Sequence, residues 1–258
     1  MILDDILMAT RRSLAQRRQQ VALSELEKQA AAASAPRAFA EALRKDGIAC
    51  IAEFKRRSPS KGWIRQDADP VKVATSYASA GAAAMSVLTD TPFFGGTLDD
   101  LRAVRSTVAL PVLRKDFIVD PYQIAEARAA GADAVLLIVA ALADADLRAL
   151  LAETRRFGME ALVENHDASE VERALAAGAT VVGINHRDLR TFETDMDLAV
   201  RLRPGIPKDR IVVAESGLRG HADVERMRQA GIDAILVGET FMAAPDPAAA
   251  LRLLLGQG

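Results

Sequence analysis

The stretch Ala130-Gly-Ala-Asp-Ala-Val-Leu-Leu-Ile-Val139 joins the end of one helical pattern to a short apolar run. Gly131 follows an Ala-rich helical stretch, and glycine supplies the left-handed conformation that turns a helix toward a strand. Residues 134–139 are apolar throughout, which is typical of a strand buried on both faces of a parallel sheet. The stretch therefore predicts a helix-to-strand junction of an α/β fold.

The same junction recurs at even spacing along the chain. Ala-Gly-Ala or Ala-Gly-Ile triplets are centred on residues 81, 131, 178 and 231, at intervals of 50 (131−81), 47 (178−131) and 53 (231−178) residues. Each triplet precedes an even-numbered predicted strand, so each interval spans two βα units. Four such pairs give eight units, the number that closes a (β/α)8 barrel.

Eight short apolar runs, each with enough chain after it for a crossover helix, are the predicted strands. They cover residues 48–54, 84–88, 112–115, 134–139, 161–164, 181–185, 211–215 and 234–237. A doubly wound open sheet is the alternative, but no Gly-x-Gly-x-x-Gly follows the first run. The predicted fold class is α/β, a (β/α)8 TIM barrel with an N-terminal helical extension.

The first 45 residues have a different texture, rich in Ala, Arg, Gln and Glu with helical apolar spacing. We interpret residues 1–258 as a single barrel domain in which residues 1–45 are the extension, and we expect the extension to serve substrate binding more than folding. The arginines of residues 11–18 suit either a phosphate patch or the solvated face of a helix, and we favour the solvated face.

Composition narrows the class of protein. The chain has 33 basic and 35 acidic residues, a net charge of −2, which argues against a nucleic-acid or membrane-surface partner. Its one cysteine, Cys50, excludes an internal disulfide and fits a reducing compartment. With no secretory pattern at the start and no long apolar stretch, we expect a cytoplasmic enzyme, and a monomer by default.

Polar residues collect where the predicted strands end, the edge at which barrel enzymes build their active sites. They are Glu53, Lys55, Lys115, Glu164, Asn185, Glu215 and Glu239. Some of them would be solvent-facing loop starts in a purely structural interpretation, but charges at one rim of apolar strands are costly unless paired or used. Two lysines among glutamates can supply a proton donor, a proton acceptor and pairing for substrate charge. A Schiff base at Lys115 is a further possibility.

Two glycine turns follow the last two strands: Ser216-Gly217 and Gly238-Glu239-Thr240. The loops after strands seven and eight are the usual phosphate site of such barrels, so we expect a small phosphorylated substrate. The three histidines, 166, 186 and 221, belong to different units and lack ligand spacing. We therefore expect neither a metal nor a cofactor.

Several segments resemble those of indole-3-glycerol phosphate synthases, in the right order from about residue 47 onward. They are Ile-Ala-Glu-Phe-Lys-Arg-Arg-Ser-Pro-Ser-Lys-Gly (51–62), Leu-Thr-Asp (88–90), Phe-Phe-Gly-Gly (93–96), Leu-Arg-Lys-Asp-Phe (113–117), Leu-Val-Glu (162–164), Gly-Ile-Asn (183–185), Arg-Asp-Leu (187–189), Val-Ala-Glu-Ser-Gly (213–217) and Gly-Glu-Thr-Phe-Met (238–242). The first segment is the most specific. The resemblance also implies that residues 1–45 cover part of the barrel mouth.

The resemblance implies a carboxy-lyase. Its substrate, 1-(2-carboxyphenylamino)-1-deoxyribulose 5-phosphate, closes a ring, loses CO2 and then loses water. Lys115 is implied as the acid on the carbonyl oxygen, with Glu53 and Glu164 in proton transfer and Lys55 pairing the substrate carboxylate or acting as an acid in dehydration. The other implied roles are orientation by Asn185 and Glu215 with Arg187 nearby, phosphate binding by Ser58, Ser216, Gly217, Gly238 and the Glu239 N–H, and a ring slot of Phe94, Phe117 and Leu189.

The chain departs from the family pattern at Asn165, His186 and Thr240. Because side chains alternate along a strand, Asn165 should point away from the site. Two other classes stay open from the residues alone: another phosphate-handling barrel, such as a sugar-phosphate isomerase or aldolase, and a non-catalytic ligand-binding barrel. The combination of Glu53, Lys55, Lys115 and Glu164 favours the lyase.

Overall fold

The computed structural model describes residues 2–44, 47–188 and 191–257 and contains a closed barrel of parallel strands. Around the barrel the strands run β1, β4, β5, β6, β7, β8, β9 and β10 and back to β1, and β2 and β3 form a small antiparallel pair after β1. The strands are β1 Ala49–Phe54, β2 Arg57–Ser58, β3 Gly62–Trp63, β4 Ala84–Leu88, β5 Val112–Lys115, β6 Ala134–Ile138, β7 Glu160–Asn165, β8 Val181–Asn185, β9 Ile211–Glu215 and β10 Ala234–Val237.

Helices precede the barrel and alternate with its strands. They are α1 Ile2–Gln20, α2 Leu23–Ala32, α3 Phe39–Ala42, α4 Pro70–Ser79, α5 Thr91–Phe94, α6 Leu98–Thr107, α7 Pro121–Ala129, α8 Asp144–Arg156, α9 Ala168–Ala176, α10 Leu198–Leu202, α11 His221–Gln229, α12 Glu239–Met242 and α13 Pro247–Leu254. Among these, none is long and apolar enough to cross a membrane.

The helix-to-strand junctions follow the predicted pattern. Gly81, Gly131, Gly178 and Gly231 have φ of +93°, +92°, +88° and +77°, the left-handed region that glycine adopts at low cost. Each lies between a helix and an even-numbered strand of the barrel. The prediction of a (β/α)8 barrel is confirmed, and the predicted strand bounds agree with the structure to within one residue at each end.

Alternation along each strand separates an inner core from an outer one. On β1, Ala49 and Ile51 pack inside the barrel, whereas Cys50, Ala52 and Phe54 pack against the surrounding helices. The next inward position on β1 is Glu53, which lines the pocket at the mouth. The same period of two brings an inward residue to the mouth at the end of each strand.

The N-terminal segment reaches both ends of the barrel. Ile2, Leu3 and Ile6 of α1 line the pocket at the mouth. At the opposite end, the backbone N–H of Arg37 donates to Asp133 just before β6, and the Arg44 side chain donates to Asp209 just before β9. Within the described residues, α1 therefore lies at the mouth of the barrel, and the segment around α3 lies at the opposite end.

The third helix completes the bottom of the barrel core. Phe39 and Leu43 are 0% and 1% exposed and belong to the inner apolar cluster. A truncation at residue 45 would remove these side chains from that core, which differs from the expectation that the whole segment serves binding more than folding. A four-residue helix is too short to show its buried face by periodicity.

The arginine pairs of α1 divide between two environments. Arg11 and Arg12 are exposed, as the interpretation of a solvated face requires. Arg17 instead pairs with the buried Glu126 of α7 at 2.8 Å, and Arg18 pairs with Asp120 at 2.5 Å. Arg17 therefore departs from the interpretation of a solvated face, because its guanidinium group holds α1 against the barrel. Arg18 pairs with Asp120 from an exposed position, as a solvated face allows.

Replacing Phe39 by alanine tests the role of α3. The substitution leaves a cavity at the bottom of the inner core, so the free energy of unfolding should fall by about 3–5 kcal/mol. Urea unfolding followed by circular dichroism measures the change. Leu23→Ala is the control, because Leu23 is 42% exposed and its loss should change stability by only about 0.5 kcal/mol. Equal losses for both variants would contradict this account of α3.

Candidate active site

One pocket opens at the C-terminal ends of the barrel strands, and it brings together the described residues singled out from the sequence. They are Glu53, Lys55, Ser58, Phe94, Lys115, Phe117, Glu164, Asn185, Arg187, Glu215, Ser216, Gly217, Gly238 and Glu239. Leu189, the remaining candidate, lies outside the described residues. Strands far apart in sequence thus contribute their last inward residues to one cavity.

Glu53 and Lys55 form a close ion pair on one side of the pocket. The Lys55 Nζ lies 2.8 Å from Glu53 Oε1, and the Ser86 hydroxyl donates to Glu53 Oε2 at 3.4 Å. Burial alone would raise the pKa of the Glu53 carboxyl, but Lys55 and Lys115 outweigh burial and lower it. Glu53 is therefore ionised at neutral pH.

Lys115 lies among three carboxyl groups at the centre of the mouth. Its Nζ is 3.5 Å from Glu164 Oε2 and 3.8 Å from Glu215 Oε2, and its side chain is 15% exposed. Burial favours the neutral amine, but Glu164, Glu53 and Glu215 outweigh it and raise the pKa of Lys115. The ammonium form expected from the sequence is thus the form that this surrounding favours.

Glu164 and Glu215 share one environment yet differ in protonation. Burial would raise the pKa of Glu164, but Lys115 and His166 bring it down to about 2. The pKa of Glu215 is raised well above its ordinary value by burial and by the Glu164 charge. Among the described residues, none donates a hydrogen bond to either Glu215 oxygen, which suits a neutral carboxylic acid. The surroundings of Lys115 therefore favour a carboxylate at Glu164 and a neutral carboxylic acid at Glu215.

Two glycines make room for these carboxyl groups. A Cβ added at Gly183 would lie 2.3 Å from Glu215 Oε1, and one added at Gly238 would lie 2.5 Å from Glu53 Oε1. Both distances are shorter than any ordinary contact between heavy atoms. The glycines are therefore needed for the side chains that they face.

The apolar part of the pocket combines expected and unexpected residues. The rings of Phe94 and Phe117 are 6.0 Å apart between centroids at 35°, and Asp90 caps α5 and so fixes Phe94. Leu88, Leu136 and Ile138 also line the pocket, together with the α1 residues, and were not singled out from the sequence. Alternation on β6 was the available signal, but both faces of that strand are apolar.

The turn after β9 has left-handed backbone at the edge of the pocket. Ser216 and Gly217 have φ of +67° and +81°, and both line the pocket. The Nδ1 of His186 lies 3.0 Å from the Ser216 carbonyl oxygen, and because that oxygen only accepts, His186 must donate. The hydrogen bond from His186 therefore stabilises this turn.

The turn after β10 leads into a short helix, α12, at the same rim. The Thr240 hydroxyl donates to the Leu218 carbonyl and ties this turn to the preceding one. The Glu239 side chain accepts from Arg187 at 3.3 Å, and Arg187 also donates to Ser60 at 3.2 Å. Serines and backbone N–H groups are thus collected at one side of the pocket.

A buried ionic network outside the barrel was not anticipated. Arg114 and Asp116 flank Lys115 in sequence, and Arg114 lies on the opposite face of β5 from Lys115, as alternation predicts. Arg114, 1% exposed, pairs with Asp116 at 2.8 Å and with Glu126 of α7 at 2.9 Å. Thr89 donates to Asp116 at 2.6 Å. The network clamps the strand end that carries Lys115.

Comparison with known sequences gives one consistent result. The sequence model of the family "Indole-3-glycerol phosphate synthase" matches residues 3–254. The chain is 55% identical over 233 residues to indole-3-glycerol phosphate synthase 2 of Streptomyces coelicolor, covering 90% of each chain. It is 51% identical over 257 residues to the indole-3-glycerol phosphate synthases of Mycolicibacterium vanbaalenii and Mycobacterium tuberculosis, covering 100% of this chain and 94% of each relative.

Solved structures with the same architecture are much more distant in sequence. A 3-hexulose-6-phosphate synthase from Salmonella typhimurium has a TM-score of 0.64 and 15% identity, covering 82% of this chain and 100% of its own. A thiamine phosphate pyrophosphorylase from Pyrococcus furiosus has a TM-score of 0.63 and 15% identity, covering 83% and 96%. At this identity they show the fold alone.

Gly183→Ala tests whether Gly183 makes room for Glu215. The added methyl group overlaps Glu215, so the free energy of unfolding should fall by about 1–3 kcal/mol. Adding Glu215→Ala removes the overlapping atoms, so the double variant should lose at least about 0.5 kcal/mol less than the sum of the single losses. Urea unfolding measures the free energy of unfolding of the two single variants and of the double variant. Gly205→Ala, which meets nothing within 4 Å, is the control, and strict additivity would count against the overlap.

Proposed function

The chain belongs to the indole-3-glycerol phosphate synthase family, and from this premise we propose how the side chains at the barrel mouth share the reaction. It is a carboxy-lyase of tryptophan biosynthesis, EC 4.1.1.48. It converts 1-(2-carboxyphenylamino)-1-deoxyribulose 5-phosphate into indole-3-glycerol phosphate by ring closure, decarboxylation and dehydration.

Lys115 acts as the acid of ring closure. The ring carbon that bears the carboxylate attacks the ribulose carbonyl carbon, and the carbonyl oxygen takes a proton from the ammonium group. The ring carboxylate then leaves as CO2, and its bonding electrons restore the aromatic ring. The observation that carries this assignment is the Lys115 ammonium held between Glu164 and Glu215 and facing the pocket.

Glu215 returns the proton that Lys115 gives up. A strongly held ammonium donates best when another acid nearby can replace its proton. Glu215 lies 3.8 Å from the Lys115 Nζ, and burial beside Glu164 keeps its pKa high. The carboxylic acid therefore holds a proton at neutral pH that can pass to the neutral amine. Asn185, whose side chain contacts the Glu164 carboxyl group, orients reacting groups by hydrogen bonds.

Dehydration needs an acid for the departing hydroxyl group and a base for the proton on the carbon next to nitrogen. Glu164, which is ionised, takes this proton, Glu53 is the second ionised carboxylate available for proton transfer, and the hydroxyl leaves as water. Lys55 pairs with the substrate carboxylate before CO2 leaves and is then free to act as an acid. Support for these roles comes from the 2.8 Å Lys55–Glu53 ion pair, which places opposite charges next to each other at the rim.

Substrate binding divides between an anion end and an apolar end. At the anion end, Ser58, Ser216, Gly217, Gly238 and the Glu239 backbone N–H surround the phosphate, supported by the left-handed turn after β9 and the start of α12. At the apolar end, Phe94 and Phe117 hold the anthranilate ring, with Leu189 expected beside them. Arg187 lies near the phosphate end, next to Glu239.

The enzyme works as one barrel domain, as a monomer in the cytoplasm, without nucleic acid, membrane, metal or cofactor. The monomer proposal rests on exposed large apolar side chains that are scattered over different elements. Within the described residues they are Met8, Leu23, Trp63, Val71 and Leu253. They belong to five different elements, whereas a stable interface is marked by a contiguous apolar patch. The cytoplasmic location rests on the biosynthetic reaction and on a single, unpaired cysteine.

Lys115→Met tests the central assignment. Methionine keeps the length and the apolar stem but removes the proton and the charge. Turnover, followed by the fluorescence of the indole formed, should fall at least about a hundredfold. Binding of a reduced substrate analogue should change far less, because the phosphate turns and the phenylalanine slot remain.

Melting temperature on the same variant separates catalysis from stability. If Lys115 is only a partner in a rim salt bridge, the variant will lose stability and keep its turnover. Near-normal turnover would remove the central acid from the mechanism.

A further inference from the structure

His166 lies outside the pocket, between two carboxyl groups. Its Nε2 is 3.4 Å from Glu164 Oε1, and its Nδ1 is 3.1 Å from Glu170 Oε2. Ionised carboxylates only accept hydrogen bonds, so Nδ1 donates to Glu170, whereas Nε2 lies near Glu164 at an ion-pair distance without hydrogen-bond geometry. Either neutral tautomer would leave one nitrogen lone pair facing a carboxylate oxygen. The imidazolium form donates to Glu170 and places its positive charge next to the Glu164 carboxylate.

The start of α9 fixes Glu170 in this place. Asp167 caps the helix by accepting from the Glu170 backbone N–H at 2.8 Å. The Glu170 side chain turns back and accepts from the His166 backbone N–H at 2.7 Å, one residue earlier than in the usual capping box. The segment His166-Asp-Ala-Ser-Glu170 therefore places the Glu170 carboxylate next to the His166 ring.

Other charged groups approach the Glu164–His166 pair from each neighbouring element. On the pocket side, the Glu164 carboxyl interacts with Lys115 of β5, Glu215 of β9 and Asn185 of β8. On the other side, His166 lines a small cavity together with Asn185, His186, Asp188, Glu193 and Asp195. Burial lowers the pKa of His166, but Glu164 and Glu170 raise it to about 10. The surroundings therefore favour the imidazolium.

The position of Lys115 does not determine which of the two neighbouring carboxyl groups, Glu164 or Glu215, carries the proton. The ammonium is at similar distances from Glu164 and Glu215, 3.5 and 3.8 Å. Of the two, Glu164 has the additional cation, since His166 pairs with it. We propose that His166, held by Glu170, is a positioning residue that keeps Glu164 as the carboxylate and leaves the shared proton on Glu215.

This inference deepens the proposed function and rests on it, because it assigns base and acid within the same pair. Glu164 is then ready to take the proton of the dehydration step, and Glu215 is ready to restore the proton on Lys115. Neither task is possible in the reverse arrangement, in which Glu164 carries the proton. The ring does not touch the pocket, so it acts through Glu164.

Three variants test the assignment through the pH profile of kcat/KM. His166→Gln keeps a neutral N–H donor and removes the charge, so the acid limb should move up by about one pH unit or more. Glu170→Gln leaves the imidazole with one carboxylate, so kcat/KM should fall severalfold as pH rises through about 6–8, where His166 now loses its proton. The double variant His166→Gln/Glu170→Gln has no imidazole at this position, so its kcat/KM should not fall between about pH 6 and 8.

His221→Gln is the matched control. His221 begins α11, and its ring contacts the Leu254 carbonyl near the C-terminus. The His221→Gln variant should keep the wild-type pH profile of kcat/KM. If His166 only packs, His166→Gln and Glu170→Gln will lower kcat/KM by the same factor at every pH, with no limb moved, and the proposal is overturned.

Proton NMR of the imidazole groups gives a readout that does not depend on activity. The protein has three histidines, and the His166 signal is assigned by its loss in His166→Gln. In the wild-type protein His166 should titrate near pH 10, and titration at or below about 6.5, the ordinary value, overturns the proposal. Failure of the wild-type enzyme to form indole-3-glycerol phosphate, or full turnover in Glu164→Gln, would instead overturn the proposed function and leave the NMR result standing.

Discussion

Every second residue of a strand in a closed parallel barrel points to the barrel axis, and the rest of the structure depends on this constraint. The lower inward positions are apolar and fill the barrel, as Ile51 and Val213 do. The topmost inward positions cannot be filled in the same way, because the barrel opens there to solvent and substrate. Glu53, Lys115 and Glu215 occupy them. Residues more than 150 positions apart in sequence (215−53) therefore meet at one axis without a dedicated loop.

Convergence of charges on one axis requires that they balance. Lys55 and Lys115 supply two positive charges at the mouth, and Glu53 and Glu164 supply two negative charges. A third carboxylate would leave the group with a net negative charge in a buried setting, which explains physically why Glu215 remains protonated. Next to this group, His166 and Glu170 form a further pair of opposite charges. The catalytic assignments thus follow from electroneutrality as much as from proton affinity.

The sequence predicted the barrel because its signals were local: a left-handed glycine before each even-numbered strand and short apolar runs. It also predicted the charged rim, since a charge at a strand end is conspicuous beside apolar neighbours. Phe39 gave no such signal, because its position at the bottom of the barrel is set by contacts with distant strands. His166 was set aside because it lies beyond the strand end, and only the fold shows that its ring is directed at Glu164 and Glu170.

A long, flexible lysine can act at a fixed place only if the backbone that carries it does not move. On the outside of the barrel, Arg114 joins Asp116 on the same strand end to Glu126 of α7. Glu126 also binds Arg17 of α1 at 2.8 Å, and α1 lines the pocket with Ile6. A buried arginine is costly unless each of its partners is in place. The same ionic contacts that fix the strand of Lys115 therefore also fix α1, which lines the pocket. The position of Lys115 and the position of α1 thus depend on each other.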